Sequence, residues 1–384
     1  MHDPVYFDHA ATTPVRPEVL EAMAPFYGPR FGNPSSTHRW GREARVSLDE
    51  ARERVAACIG AESDEICFTS GGTEADNLAV LGGWRARKGK GRSTIATTPI
   101  EHKAVLSSVH KAAAEGATER MLDVDSSGTV VLDSAIAALG ADVALASVMW
   151  VNNEIGSVQP VPAIATCCKA SGILFHTDAV QAFGKHEVNA RSVPFDLASI
   201  SGHKIGAPKG IGALFIRRKT VLEPLFFGGS QDRGRRPGTE NVAYAVGFAT
   251  ACELAVRERT SAVAKYAAFR DRLEAGIRSQ VPDLIVNGAE AIRAPHVLNV
   301  TVPGVDGESM LMALDLHGIA CSGGSACQSG SASGSHVLAA INHGAVAGAS
   351  VRLSIGALTT DEAVDRAIEV FCKLARKARG LAFA

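Results

Sequence analysis

The stretch EICFTSGGTEADNLAVLGGWRARKG, residues 65–89, changes its pattern twice within 25 residues. EICFTS is a short run of β-branched and aromatic residues and predicts a strand. Gly71 and Gly72 predict a tight turn. TEADNLAVLGGWRARKG predicts a helix, with Thr73 as its N-cap and Asp76 three residues on. The same alternation continues on both sides. Upstream, VSLDEARERVAACIG is an amphipathic helix closed by Gly60. Downstream come STIATT (strand), KAVLSSVHKAAAEG (helix), VALASVMWV (strand) and PVPAIATCCKASG, a helix opened by proline. ILFHTDAV, DLASISG and GALFIRR add three more strands. Apolar strands alternating with helices predict an α/β fold, a mostly parallel sheet with helices on both faces.

A long helix over roughly 241–280 leads out of this pattern. Beyond it, HVLNVTVP and SVRLSIG read as strands, and GESMLMALDLHG, SHVLAAIN and the C-terminal segment as helices, a smaller α+β unit. The expected division is a large domain over 16–255 and a small one from 1–15 plus 256–384.

Of the 384 residues, 46% are hydrophobic and 21% charged, with a net charge of −1. That balance provides a core and argues against nucleic acid as a partner, which needs a net basic face. The apolar stretch 135–151 is short and interrupted by Asp142, so no membrane span is expected. No basic-then-apolar leader opens the chain, and a cytoplasmic location is expected. The eight cysteines form no C-x-x-C pair, so free thiols are expected rather than a metal or dithiol motif. Most sit in apolar runs. Cys321 and Cys327 instead lie in CSGGSACQSG, residues 321–330, where no branched aliphatic residue offers a core.

In open α/β sheets ligands bind beyond the carboxyl ends of the strands, so the residues following each strand carry the chemistry. Gly71, Gly72 and Thr73 open a helix and suit an anion such as phosphate. Asp178 and Gln181 leave ILFHT, and Ser201, His203 and Lys204 leave DLASI. A carboxylate can pair with a pyridinium nitrogen and a lysine can form a Schiff base with an aldehyde. With a phosphate cradle, that is the set that holds pyridoxal phosphate. His102 in EHKA falls on the same rim, where an imidazole can stack on a flat ring and move protons. Asn152 and Asn153 offer amides to substrate or cofactor. RRPGTEN, 235–241, is a second phosphate contact, and Arg352 on SVRLSIG can fork onto a carboxylate. Taken singly, each has an ordinary explanation: a cap, a turn, a structural histidine, a solvated lysine. Their conjunction is the specific signal.

With these residues in place, the chain resembles the cysteine desulfurases of the NifS/IscS type, within the fold-type I pyridoxal-phosphate enzymes. The likeness runs nearly end to end, through YFDHAATTPV, GNPSSTHRWG, FTSGGTEADNLA, EHKAV, VNNEIG, HTDAVQ, SGHKIGAPKGIGAL, RPGTEN, SGGSACQSGS and VRLSIG. The resemblance implies that Lys204 is the Schiff-base lysine, that Asp178 pairs with the ring nitrogen and Gln181 with the ring hydroxyl. It implies that His102 stacks on the ring as acid and base. Gly72, Thr73, Ser201 and His203 would hold the phosphate, joined by Thr239 of a second subunit in a homodimer. Asn153 and Arg352 would hold the substrate carboxylate. Cys327 would take sulfur from L-cysteine as a persulfide and pass it to an acceptor protein such as an iron–sulfur scaffold. The segment at about 321–335 resembles a mobile arm, with glycines permitting travel between cofactor and acceptor. Two departures stand out: Cys321 where a small or branched residue is expected, and Pro237 beside the Gly238–Thr239 pair. The nearest alternative is another C–S lyase of this fold, such as a selenocysteine lyase. A scaffold without turnover is the alternative from a different class, and Lys204, Asp178, His102 and Cys327 argue against it.

Overall fold

The computed structural model describes residues 4–89, 91–323, 334–341 and 348–380. The chain opens with β1 (Val5–Tyr6), followed by β2 (Ile66–Thr69), β3 (Thr94–Thr97), β4 (Thr118–Met121), β5 (Val143–Ser147), β6 (Leu174–Asp178), β7 (Leu197–Ser201) and β8 (Gly212–Ile216). All but β1 form one seven-stranded sheet, in the order β2-β8-β7-β6-β5-β3-β4. Only β8 runs against its neighbours; the pairings among β3 to β7 are all parallel. The exception has a local cause. A parallel partner needs a long crossover, whereas β7 and β8 are joined by the short connection 202–211, which forces them antiparallel. That connection carries Lys204. Every residue of β5 to β8 is buried, so these strands read as unbroken apolar runs. β4, an edge strand of sequence TERM, is the element the sequence pattern does not announce, because neither of its faces is buried.

The helix after β2 begins two residues earlier than its capping signal suggests. Gly71 occupies the cap position with φ +152°, and Thr73 lies inside the first turn without capping it. Threonine could not adopt that backbone conformation, which is nearly exclusive to glycine. The helical run continues from Gly72–Asn77 through a π-segment, Leu78–Gly82, to Gly83–Arg85. The amphipathic helix upstream spans Arg39–Cys58 and starts earlier than expected, capped by the His38 ring, which accepts from the Gly41 amide.

The remaining strands are β9 (Ile285–Val286), β10 (Val297–Pro303), β11 (Ile319–Ala320) and β12 (Gly348–Ser354). β12, β10 and β9 make a small antiparallel sheet, and β1 pairs with β11. The helix Val242–Arg278 joins two apolar cores. Phe248, Ala249 and Cys252 pack under the large sheet, while Phe269, Leu273 and Ile277 pack with Phe7, Val300, Val351 and Phe371. Among the described residues no helix is long and apolar enough to cross a membrane, and no cluster of His, Cys, Asp or Glu is arranged to hold a metal ion.

Candidate active site

Because β2, β3, β5, β6 and β7 point the same way, the residues that follow them meet at one edge of the sheet. They enclose a cavity of about 390 Å³. Ten of the expected site residues line it: Gly72, Thr73, His102, Asn153, Asp178, Gln181, Ser201, His203, Lys204 and Arg352. Two do not. Thr239 is exposed on its loop and is not part of this cavity's wall, and Cys327 lies outside the described residues.

Asp178, the last residue of β6, is buried, and its Oδ1 accepts from the Val180 amide at 2.9 Å. Burial pushes its pKa up, while the charges of His102 and Lys204 pull the other way. Lys204 donates from Nζ to the backbone carbonyls of Ala10 (2.7 Å) and Ala11 (2.6 Å). The N-terminal segment thus holds the amine in place. Thr13 fastens that segment, its hydroxyl donating to the His203 carbonyl at 2.8 Å and accepting from Gly206 N at 2.9 Å.

His102 caps the helix Lys103–Ala114, its Nδ1 accepting from the Ala104 amide at 3.2 Å. Burial lowers its pKa, and because Nδ1 accepts, the neutral ring carries its proton on Nε2. His203 is also held neutral: burial, then the Lys204 charge, brings it down to about 4. Gln181 is engaged at both ends, Nε2 to the Ala10 carbonyl at 2.9 Å and Oε1 to His296 Nε2 at 3.1 Å.

Arg352 enters from β12 and is almost fully buried. Nη2 donates to Asp8 Oδ1 at 2.9 Å and Nη1 to the Asn153 carbonyl at 2.7 Å, while its buried Nε has no partner among the described residues. The two asparagines read together in the sequence separate here. Asn152 is fully buried and builds the turn, its Oδ1 accepting from the amides of Glu154 and Ile155 and its Nδ2 donating to the Ile100 carbonyl. Asn153 faces the cavity.

The cavity also contains residues the sequence reading did not place in a site: Ala10, Ala11, Lys103, Glu154, His336 and Asp76, which was read only as part of a helix cap. Lys103 and Glu154 each follow a residue already singled out, and Asp76 lies one turn beyond Thr73. His336 and the two alanines carry no such signal, since the alanines act through their carbonyls. Burial brings Glu154 up to about 7, and it accepts from Ser335 Oγ at 2.5 Å. Asp76 is raised well above the usual carboxylate range by burial and by the Asp178 charge.

The comparison with known proteins fits this geometry. The family model for aminotransferase class-V matches residues 5–367. The chain belongs to the class-V aminotransferase family. Within it, the chain is 44% identical over 381 residues to the cysteine desulfurase IscS of Dictyoglomus turgidum, covering 98% of this chain and 95% of that protein. It is 43% identical over 371 residues to the cysteine desulfurase NifS of Azotobacter vinelandii, covering 95% and 90%. The solved structure of a NifS-like protein superposes with a TM-score of 0.90 at 35% identity, covering 98% of this chain and all of that one. The resemblance drawn from the motifs, and the fold class it implied, are therefore borne out for this family member.

Proposed function

We propose that this protein is a pyridoxal-phosphate-dependent desulfurase that takes sulfur from L-cysteine, leaving L-alanine. One observation carries the reading: a single cavity brings together a lysine amine (Lys204), a buried carboxylate (Asp178), a neutral imidazole (His102) and a buried arginine (Arg352). The donor set fits the cofactor. Lys204 would hold its aldehyde carbon, Asp178 its ring nitrogen and Gln181 its ring hydroxyl. Ser201, His203 and the first-turn amides of Gly72 and Thr73, which have no acceptor within the helix, would hold its phosphate. A buried carboxylate without a neighbouring arginine is costly alone, and a pyridinium proton would satisfy it.

When bound, pyridoxal phosphate supplies a sink for the electron pair left on the amino acid's Cα. The protein does the rest. Arg352 and Asn153 receive the substrate carboxylate, using the Nε–H that has no partner among the described residues. The Lys204 amine takes the Cα proton and can return it. His102, neutral and fixed by the Ala104 amide, exchanges protons from Nε2. Cys327, in its GSACQS context, attacks the substrate sulfur as a thiolate. The Cβ–Sγ bond breaks with its electrons going to carbon, which takes a proton to become the methyl group of alanine. The sulfur stays on Cys327 as a persulfide for an acceptor protein, with iron–sulfur assembly as the destination and the cytoplasm as the setting.

The test is to supply the purified protein with pyridoxal phosphate and L-cysteine. Alanine and a persulfide mapped to Cys327 are expected, together with an absorbance band that borohydride removes and that Lys204→Ala lacks. Release of free sulfide without protein persulfide would overturn the desulfurase reading in favour of a simple C–S lyase.

A further inference from the structure

A second cavity of about 460 Å³ lies on the other side of Lys204, between the N-terminal segment, the connection after β7 and the helix Val242–Arg278. Lys204 lines both cavities. The reaction assigned above uses nothing else in its wall. The apolar part comes from Val15, Ile205, Ala262, Ile355 and Leu358, with Tyr266 beside them.

The polar part is a basic cluster, together with two lining carboxylates, Glu18 and Glu258, that are both paired with Arg16. Lys185 lines this cavity, and its Nζ donates to the Lys204 carbonyl at 3.1 Å. No carboxylate among the described residues acts on it. Burial and the Lys204 charge both disfavour its protonation, bringing it down to about 7. Burial holds His9, His186, His203 and His296 low, and the Lys185 charge adds to this in each, so the lysine stands at the centre of a cluster of imidazoles. His9 and His296 also line the cavity. His9 is 5% exposed, and neither of its ring nitrogens has a hydrogen-bond partner among the described residues. Gly356 packs against that ring so closely that a Cβ there would come within 2.3 Å of it, which fixes its position. Arg16 at the rim is already neutralised by Glu258 and Glu18.

A buried lysine with no carboxylate partner among the described residues and an imidazole with no hydrogen-bond partner among them line one largely apolar chamber, and an acceptor bearing negative charge would satisfy both. The dimensions and lining suit a small organic molecule rather than a bare ion. We propose that this second cavity binds a small monocarboxylate with an apolar body, its carboxylate received by Lys185 and His9. The site is separate from the catalytic cavity and does not depend on the reaction assigned to that cavity. An occupant would lie against the backbone that positions Lys204.

Calorimetric titration of the cofactor-loaded protein with 3-phenylpropionate tests this, with 3-phenylpropanamide as the uncharged control. Saturable binding with a Kd of roughly 1 mM or tighter is expected for the acid. The amide should bind at least about tenfold more weakly, as should the acid to Lys185→Met. Ala262→Phe fills the chamber from the helix without touching the basic cluster. It should abolish binding, and it keeps the test decisive if Lys185→Met does not fold. Arg352→Ala should bind the acid as the wild type does. Loss of binding in Arg352→Ala with retention in Ala262→Phe would place the carboxylate in the catalytic cavity and overturn the proposal. Equal binding of acid and amide, or no saturable binding, would overturn it as well.

Discussion

At the scale of the residue, Cys321 of CSGGSACQSG is held as a thiol by its surroundings. Cys321 packs against the small core, and burial followed by the Asp8 charge pushes its thiol up to about 12. At pH 8 roughly one ten-thousandth of it would be thiolate, against roughly a quarter for a thiol at the usual value near 8.5. Iodoacetamide should therefore leave Cys321 largely unmodified up to about pH 9, and Cys321→Ala should keep most of its activity. Mapped sulfur on Cys321 after one turnover would contradict this. Arg352 allows a second prediction. Its guanidinium is already oriented by Asp8 and the Asn153 carbonyl, so a substrate carboxylate meets a prepared fork. Arg352→Ala should lower kcat/KM ten- to a hundredfold, mostly through KM, since charged hydrogen bonds of this kind contribute about 1.5–3 kcal/mol. An unchanged KM for cysteine would locate the carboxylate elsewhere. The sequence made such side chains legible because their chemistry is carried by residue type. It was silent on Ala10 and Ala11, whose carbonyls hold Lys204, because any residue has a carbonyl.

At the scale of the element, legibility followed burial. β5 to β7 were plain from their apolar runs, and the long helix expected over 241–280 spans Val242–Arg278. β4 was invisible because an exposed edge strand has no apolar face to display. The antiparallel course of β8 was not drawn from the strand pattern, since direction is set by the length of the connection rather than by strand composition. The cap of the helix after β2 shows a subtler failure. Thr73 has a capping side chain, but a positive φ at the preceding turn decided for Gly71. That position can be tested without a steric complication. A Cβ at Gly71 would meet only Ser201 Oγ, at 3.9 Å, so Gly71→Ala adds backbone strain and little else. Strain of this kind costs on the order of 1–3 kcal/mol. The variant should melt lower and bind pyridoxal phosphate more weakly than wild type, as read by thermal unfolding and cofactor titration. Unchanged values for both would mean the turn relaxes without cost and is not part of the phosphate cradle.

At the scale of the whole molecule, the two apolar cores support our proposed division into a large domain over 16–255 and a small one from both ends of the chain, with the long helix crossing between them. The proposed homodimer can be argued from Thr239. It is exposed, on a loop tied down by the ion pair of Arg236 with Glu74 at 3.0 Å, and it takes no part in its own chain's cavity. If Thr239 contacts a phosphate, that phosphate belongs to another copy. Phe227, Phe31 and Tyr27 are 87%, 70% and 65% exposed, apolar surface that an obligate interface of more than about 2,000 Å² would cover. Sedimentation at micromolar concentration should give twice the chain mass. A sharper experiment mixes two damaged chains. Lys204→Ala has no working site of its own but offers an intact Thr239. Thr239→Ala keeps Lys204 but offers nothing to its partner. In a mixed dimer the Thr239→Ala chain receives the threonine of the Lys204→Ala chain, so one complete site is rebuilt. Co-expression at limiting cofactor should then give more activity than the two parents measured separately would predict. If Thr239 served its own chain, no complete site could arise in any pairing, and the mixture would show no recovery.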